Sequence, residues 1–182
     1  MRYYILLYIP PGGIRNKMSF EKKFIILIVI STVLIMGGGM IVLSSSQAPQ
    51  ISASQNAKAY TISPTSADWG QIPMYKGNVT KIFTLKNTGT DTLKLFNIKT
   101  SCHCTKAHVT IGSEDSPDFG MDTYSAWVGE VAPGKEAKLS VIFDPAYHGP
   151  AGVGPINRFV SVETNDKTNP KLTFTVTGTV FK

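Results

Sequence analysis

The stretch that decides the fold is Leu172-Thr173-Phe174-Thr175-Val176-Thr177-Gly178-Thr179-Val180. Leu172, Phe174, Val176 and Val180 share one parity; Thr173, Thr175, Thr177 and Thr179 share the other. A period of two is that of a β-strand with one buried face, and β-branched threonines suit the outer face. The same alternation recurs upstream. Val160 and Val162 alternate with Phe159, Ser161 and Glu163, and Leu139, Val141 and Phe143 with Lys138, Ser140 and Ile142. Val79, Phe83 and Leu85 share a parity that Lys81 interrupts. Leu93 and Leu95 lie on one parity and Phe96 and Ile98 on the other, which predicts a bulge or a strand that changes sheets. Ala59–Ile62 and Lys106–Ile111 are fainter strand signals. Asn87-Thr88-Gly89-Thr90-Asp91 reads as a hairpin loop, and Pro133-Gly134 and Asn165-Asp166 as turns. No stretch after residue 60 has a 3.6-residue apolar period. About seven short strands over roughly 120 residues predict an all-β fold, an antiparallel β-sandwich; periodicity alone leaves a closed barrel open.

Composition sets the bounds. The chain has 182 residues, 42% of them hydrophobic and only 16% charged, which excludes wholesale disorder. Two cysteines exclude a multi-disulfide scaffold and a four-cysteine zinc site. The net charge of +6 is concentrated at the start, where Arg2, Arg15, Lys17, Lys22 and Lys23 face only Glu21. The remainder is nearly balanced, so no nucleic-acid partner is expected.

Residues 24–43 carry no charge, and a helix of that length spans about 30 Å, the thickness of a bilayer core. A single-pass transmembrane signal anchor is expected, with the lipid bilayer as its partner. The preceding lysines and arginines place the N-terminus in the cytoplasm and export the C-terminal domain. Cleavage near Ser44–Ala48 is the alternative and would give a secreted protein. Met18 opens a conventional basic-then-apolar signal and is the expected start. The organisation read from this is a basic flank at 1–23, the anchor at 24–43, a flexible linker at 44–58 and an exported domain at 59–182.

A family resemblance enters here. It rests on Asp68-Trp69-Gly70-Gln71-Ile72, Lys76-Gly77-Asn78-Val79, Phe83-Thr84-Leu85-Lys86-Asn87-Thr88-Gly89, and Thr100-Ser101-Cys102-His103-Cys104-Thr105. Ala132-Pro133-Gly134, Phe143-Asp144-Pro145 and Glu163-Thr164-Asn165-Asp166 extend it. Over about residues 60–180 the chain resembles the bacterial domain-of-unknown-function 1573 family. The resemblance implies an immunoglobulin-like sandwich, related in shape to protein-binding modules, and it implies no enzyme activity. The long polar stretch 110–130 could host a partner-specific loop.

Cys102-His103-Cys104 is the one constellation with chemical promise. On a strand the two sulfurs would share a face, with His103 opposite. A disulfide would need a kink, since strand Cα atoms two apart lie about 6.6 Å from each other. Two thiolates also suit copper(I), with a third ligand drawn from His103, Met121 or His148. His108 would lie about 13 Å along a continuous strand, too far to share an ion. Buried structural thiols and a functional redox pair are the remaining readings. Trp69 and Trp127 read as core or rim aromatics, Gly149–Pro155 as a loop, and Asp115, Asp118 and Asp122 as a solvated cluster. No nucleophile-elbow, zinc-protease or kinase pattern is present. The expectation is therefore a non-enzymatic binding or structural module at the cell envelope, docking an envelope protein. A copper(I)-handling protein and a thiol–disulfide redox protein are the rivals.

Overall fold

The computed structural model describes residues 19–44 and 51–182, without the side chains of 36–44. The expected start at Met18, most of the basic flank and the candidate cleavage stretch around Ala48 lie outside these residues. The chain divides into two units, residues 1–46 and 47–182.

In the first unit, helix α1 runs from Phe20 to Ser44. Thr32 is accommodated by donating its hydroxyl to the carbonyls of Ile28 and Val29. Among the described residues no helix is long and apolar enough to cross a membrane, and 36–43 of the expected span lie outside those with described side chains.

Among the described residues the second unit has ten strands: β1 (Ala59–Thr61), β2 (Ser66–Pro73), β3 (Val79–Asn87), β4 (Leu93–Thr100), β5 (Thr105–Ile111), β6 (Glu114–Asp115), β7 (Gly129–Val131), β8 (Glu136–Phe143), β9 (Gly154–Thr164) and β10 (Lys171–Phe181). They form two five-stranded sheets, ordered β1-β3-β8-β5-β6 and β2-β10-β9-β4-β7. One core unites the inner faces: Phe83, Leu85, Leu139 and Val141 of the first sheet meet Leu95, Val160, Val162 and Phe174 of the second. Phe83 and Phe174 pack with ring centroids 5.0 Å apart. The all-β two-sheet sandwich is as the alternation predicts.

Two expectations need correction. The described residues form ten strands rather than about seven, the three unexpected ones being β2, β6 and β7; β6 and β7 are two and three residues long, too short to show a period. The sheets are also not wholly antiparallel, since β2 pairs parallel to β10. β2 escapes sequence detection because it is an edge strand with mostly exposed or half-buried residues. Gly178 makes the pairing fit: it occupies an inward position of β10, where a Cβ would lie 2.6 Å from Ile72 Cδ1. The missing apolar residue in the opening alternation is thus the space taken by Ile72.

The parity change in β4 is a bulge. Its register to β9 shifts between Phe96 and Lys99, Asn97 has φ 46°, and β4 stays in one sheet. Residues 54–58, expected in the flexible linker, are part of the sandwich. Ser54 pairs with Asp166, Ala57 is buried, and the Asn56 carbonyl accepts from the Thr90 amide at 2.9 Å. The polar stretch 110–130 is pinned to the core by Phe119, which bridges to Ala107, and by Trp127 beside it.

Candidate functional site

Cys102 and Cys104 occupy a turn between β4 and β5, not a strand as expected. The Thr105 amide donates to the Cys102 carbonyl at 3.1 Å, closing the turn. Thr100 Oγ1 donates to the carbonyls of Cys102 and Thr105, both at 3.0 Å, and braces it from inside. The turn is tied to β9 by the Ser101 amide on the Phe159 carbonyl and the Phe159 amide on Ser101 Oγ, each at 2.9 Å. This folding back brings the two Cα atoms to 5.3 Å, and the cysteines form a disulfide. The kink that a bridge requires is supplied by the turn.

The two sulfurs have different surroundings. Cys104 is 2% exposed and belongs to a second, smaller core with Ile72, Met74, Phe143, Ile156 and Val180. Cys102 is only half-buried and packs on the rim of that cluster. Arg158 Nε donates to Cys104 Sγ at 3.2 Å, and Thr105 Oγ1 lies 3.7 Å from the same sulfur. His148 Nε2 lies 3.6 Å from Cys102 Sγ, and that sulfur accepts from the Cys104 amide at 3.3 Å.

Each partner is held in place by its own loop or strand. His148 ends a loop begun by Asp144, whose Oδ1 accepts from the Ala146 amide and whose own amide donates to the Cys104 carbonyl. In the following 3₁₀ turn, Gly149–Gly152, the chain passes close to His148: a Cβ at 152 would lie 3.1 Å from His148 Cβ, a tight contact. Arg158 rides on β9, and its Nη1 donates to the Asn157 carbonyl. Trp69 of β2 stacks on Phe143 at 5.9 Å, and among the described residues its buried Nε1 has no hydrogen-bond partner.

Of the predicted ligand residues, Cys102, Cys104 and His148 converge, with ligand atoms all within 4.8 Å of one another. His103 and Met121 do not join them. His103 pairs with Asp122 at 3.3 Å, and both line a separate pocket with Met121 and Lys106. The acidic residues of the same region do not converge either. Asp115 accepts from Thr110 Oγ1, and Asp118 faces Lys106 and His108. Trp69 and Trp127 pack against the core, as expected of them. Sequence reasoning missed Arg158. Its signal was available: Arg158 shares the parity of the inward residues Ile156, Val160 and Val162, and a charge on a core-facing parity calls for a partner.

This turn lies inside a recognised segment. Residues 60–113 match the family described as protein of unknown function (DUF1573). His148 and Arg158 lie outside the matched stretch. No curated protein matches the chain. Among solved structures, a protein of unknown function from Porphyromonas gingivalis W83 has a TM-score of 0.52 at 21% identity, covering 72% of this chain and 50% of that one. This chain therefore spans half the length of that protein, and the likeness is one of fold. PapD-like domain 7 of human CEP192 gives a TM-score of 0.44 at 18% identity, over 75% of this chain and 94% of that domain.

Proposed function

We propose that the chain is an exported, immunoglobulin-like binding module, tethered to the cell envelope through residues 24–43. The observation that carries the binding role is an open edge on β3. β1 pairs with only Leu85, Lys86 and Asn87 of that strand. Thr84 still finds partners on that side, in the Ile62 amide and Ser63 Oγ. By alternation Thr80 and Ile82 present their backbone groups to the same side, and among the described residues nothing pairs with them there. Tyr60, Ile62 and Ile82 expose large apolar side chains beside this gap. An extended segment of an envelope protein could add as a strand, gaining main-chain hydrogen bonds and apolar contact. Lys81, on the inward parity, disfavours indiscriminate pairing. The tether is supported by the uncharged run 24–43 and its basic flank.

A photo-crosslinking residue at position 82, in the native host, tests this. The expected adduct is absent with the crosslinker at outward Thr173, is lost on Thr80→Pro and survives Cys102→Ser with Cys104→Ser. Equal adducts at 82 and 173 would refute the edge reading.

A second reading, copper(I) handling, is favoured by the convergence of Cys102, Cys104 and His148. Two thiolates and an imidazole suit a soft ion once the disulfide is reduced. Native mass spectrometry of the reduced protein offered copper(I) should show one ion, absent in the double-serine variant. A reduced protein that takes up none would remove this reading.

A further inference from the structure

We propose that the Cys102–Cys104 disulfide is a thiol–disulfide exchange centre that trades two electrons with a dithiol. Cys102 is the sulfur attacked and Cys104 the sulfur that leaves. This goes beyond the binding role and stands or falls independently of it.

The asymmetry of the site carries the argument. Cys102 is half-buried and reachable, whereas Cys104 is 2% exposed. The buried sulfur is the one beside a cation, with Arg158 Nε at 3.2 Å. Among the described residues no carboxylate pairs with Arg158, whose guanidinium otherwise meets the Asn157 carbonyl and lies 5.8 Å from the Phe143 ring centroid. A guanidinium aimed at a sulfur in a bond stabilises little; aimed at a departing thiolate, it stabilises the charge that develops. Thr105 Oγ1 at 3.7 Å adds a second donor. His148 Nε2, 3.6 Å from Cys102 Sγ, stands where an incoming thiol would leave its proton. The Cys104 amide on Cys102 Sγ serves the second sulfur when it is released in turn.

A purely structural role explains less. A bridge between residues two apart closes a minimal loop, and loop closure by so short a bridge constrains the unfolded chain least. The turn already has its backbone and Thr100 hydrogen bonds. Nothing in that role requires an arginine on one sulfur and a histidine on the other.

The exchange balances as follows. One thiolate of the dithiol attacks Cys102 Sγ, forming a mixed disulfide and expelling Cys104 as thiolate beside Arg158. The second thiolate of the dithiol then attacks its own partner sulfur, releasing Cys102. The dithiol loses two electrons and two protons and becomes a disulfide; the cysteines gain both. Reversal oxidises a client dithiol.

The test uses the full-length chain in detergent, with dithiothreitol as the dithiol and alkylation with mass detection as the readout. The folded protein should be reduced at least about tenfold faster than the same bond in the urea-unfolded chain. Arg158→Gln should slow the folded protein about tenfold, with Arg158→Lys recovering most of the rate. With glutathione disulfide, the Cys104→Ser variant should form its mixed disulfide at Cys102 at least about tenfold faster than Cys102→Ser does at Cys104. Circular dichroism of each variant confirms that it is folded. Reduction no faster folded than unfolded, an unchanged rate in Arg158→Gln, or equal rates at the two sulfurs would each overturn the proposal.

Discussion

Asn87→Ala should be among the most destabilising single changes in the sandwich. The Asn87 side chain is fully buried at the end of β3 and makes four hydrogen bonds. Its Nδ2 donates to the carbonyls of Asp91 and Val131, both at 2.8 Å, and its Oδ1 accepts from the amides of Gly89 at 2.9 Å and Lys58 at 3.4 Å. It therefore joins the hairpin loop, the approach to β1, and β7 of the opposite sheet. The Val131 bond is fully buried, and an orphaned buried carbonyl costs about 1–3 kcal/mol. The three part-buried bonds add roughly 0.5–1 kcal/mol each, giving a loss of about 2.5–6 kcal/mol. Urea unfolding followed by fluorescence of the tryptophans should show the midpoint falling with the slope unchanged. Asn87→Asp should be no better, because it sets a carboxylate oxygen against two carbonyls in a buried site. Lys86→Ala next door, on the outward face, should cost less than about 0.5 kcal/mol. A loss below about 1 kcal/mol in Asn87→Ala, or a native-like Asn87→Asp, would refute the view that the Asn-Thr-Gly loop is structural.

Asp166 gives a pH-dependent counterpart. Burial of its carboxylate works against ionisation, but hydrogen bonds from the Ala59, Thr168 and Asn169 amides and Asn169 Nδ2 outweigh it and hold the group below the usual range. Its contribution is then present above about pH 4 and lost as the pH falls through the folded value, so Asp166→Asn should destabilise at neutral pH and converge on wild type in acid. Gly89→Ala should cost about 2 kcal/mol or more in the same urea assay, because its Cβ would fall on the Asn56 carbonyl oxygen and 2.7 Å from the Lys58 nitrogen, both backbone. If the export reading holds, alkaline phosphatase fused after Lys182 should be active in cells, and N-terminal sequencing of native protein should begin at Met18 with 24–43 retained. An inactive fusion would put the domain in the cytoplasm.

The long strands were legible because each has one face in water, so burial writes itself into alternate positions. β2, β6 and β7 were not, since edge pairing depends on backbone groups that any sequence supplies. Nothing local in the sequence distinguishes the turn at Cys102 from a strand. What bends the chain there is Thr100 Oγ1 capturing two carbonyls and β9 holding Ser101. His148 could be named as a candidate but not placed, since it reaches the sulfurs through a loop 46 residues away in sequence. Arg158 was the avoidable omission, for its parity alone set a charge on the buried side of β9.

The sulfur turn and the open edge of β3 share a row of the same sheet. Val79 and Thr105 both pair with Phe143, one from each side of β8, about 10 Å apart at strand spacing. Coupling between redox state and edge binding is thus a physical question with a local answer. The Asp144 amide donates to the Cys104 carbonyl, so opening the disulfide loosens that bond first. β3 is held to β8 along the whole register from Val79↔Phe143 to Lys86↔Glu136, and a disturbance at one end reaches one pair. Reduction should therefore raise amide exchange at Asp144 and leave Lys81 and Phe83, whose amides face β8, protected. If Lys81 and Phe83 lose protection together with Asp144, the β3 edge moves with the sulfurs, and the two sites act as one device.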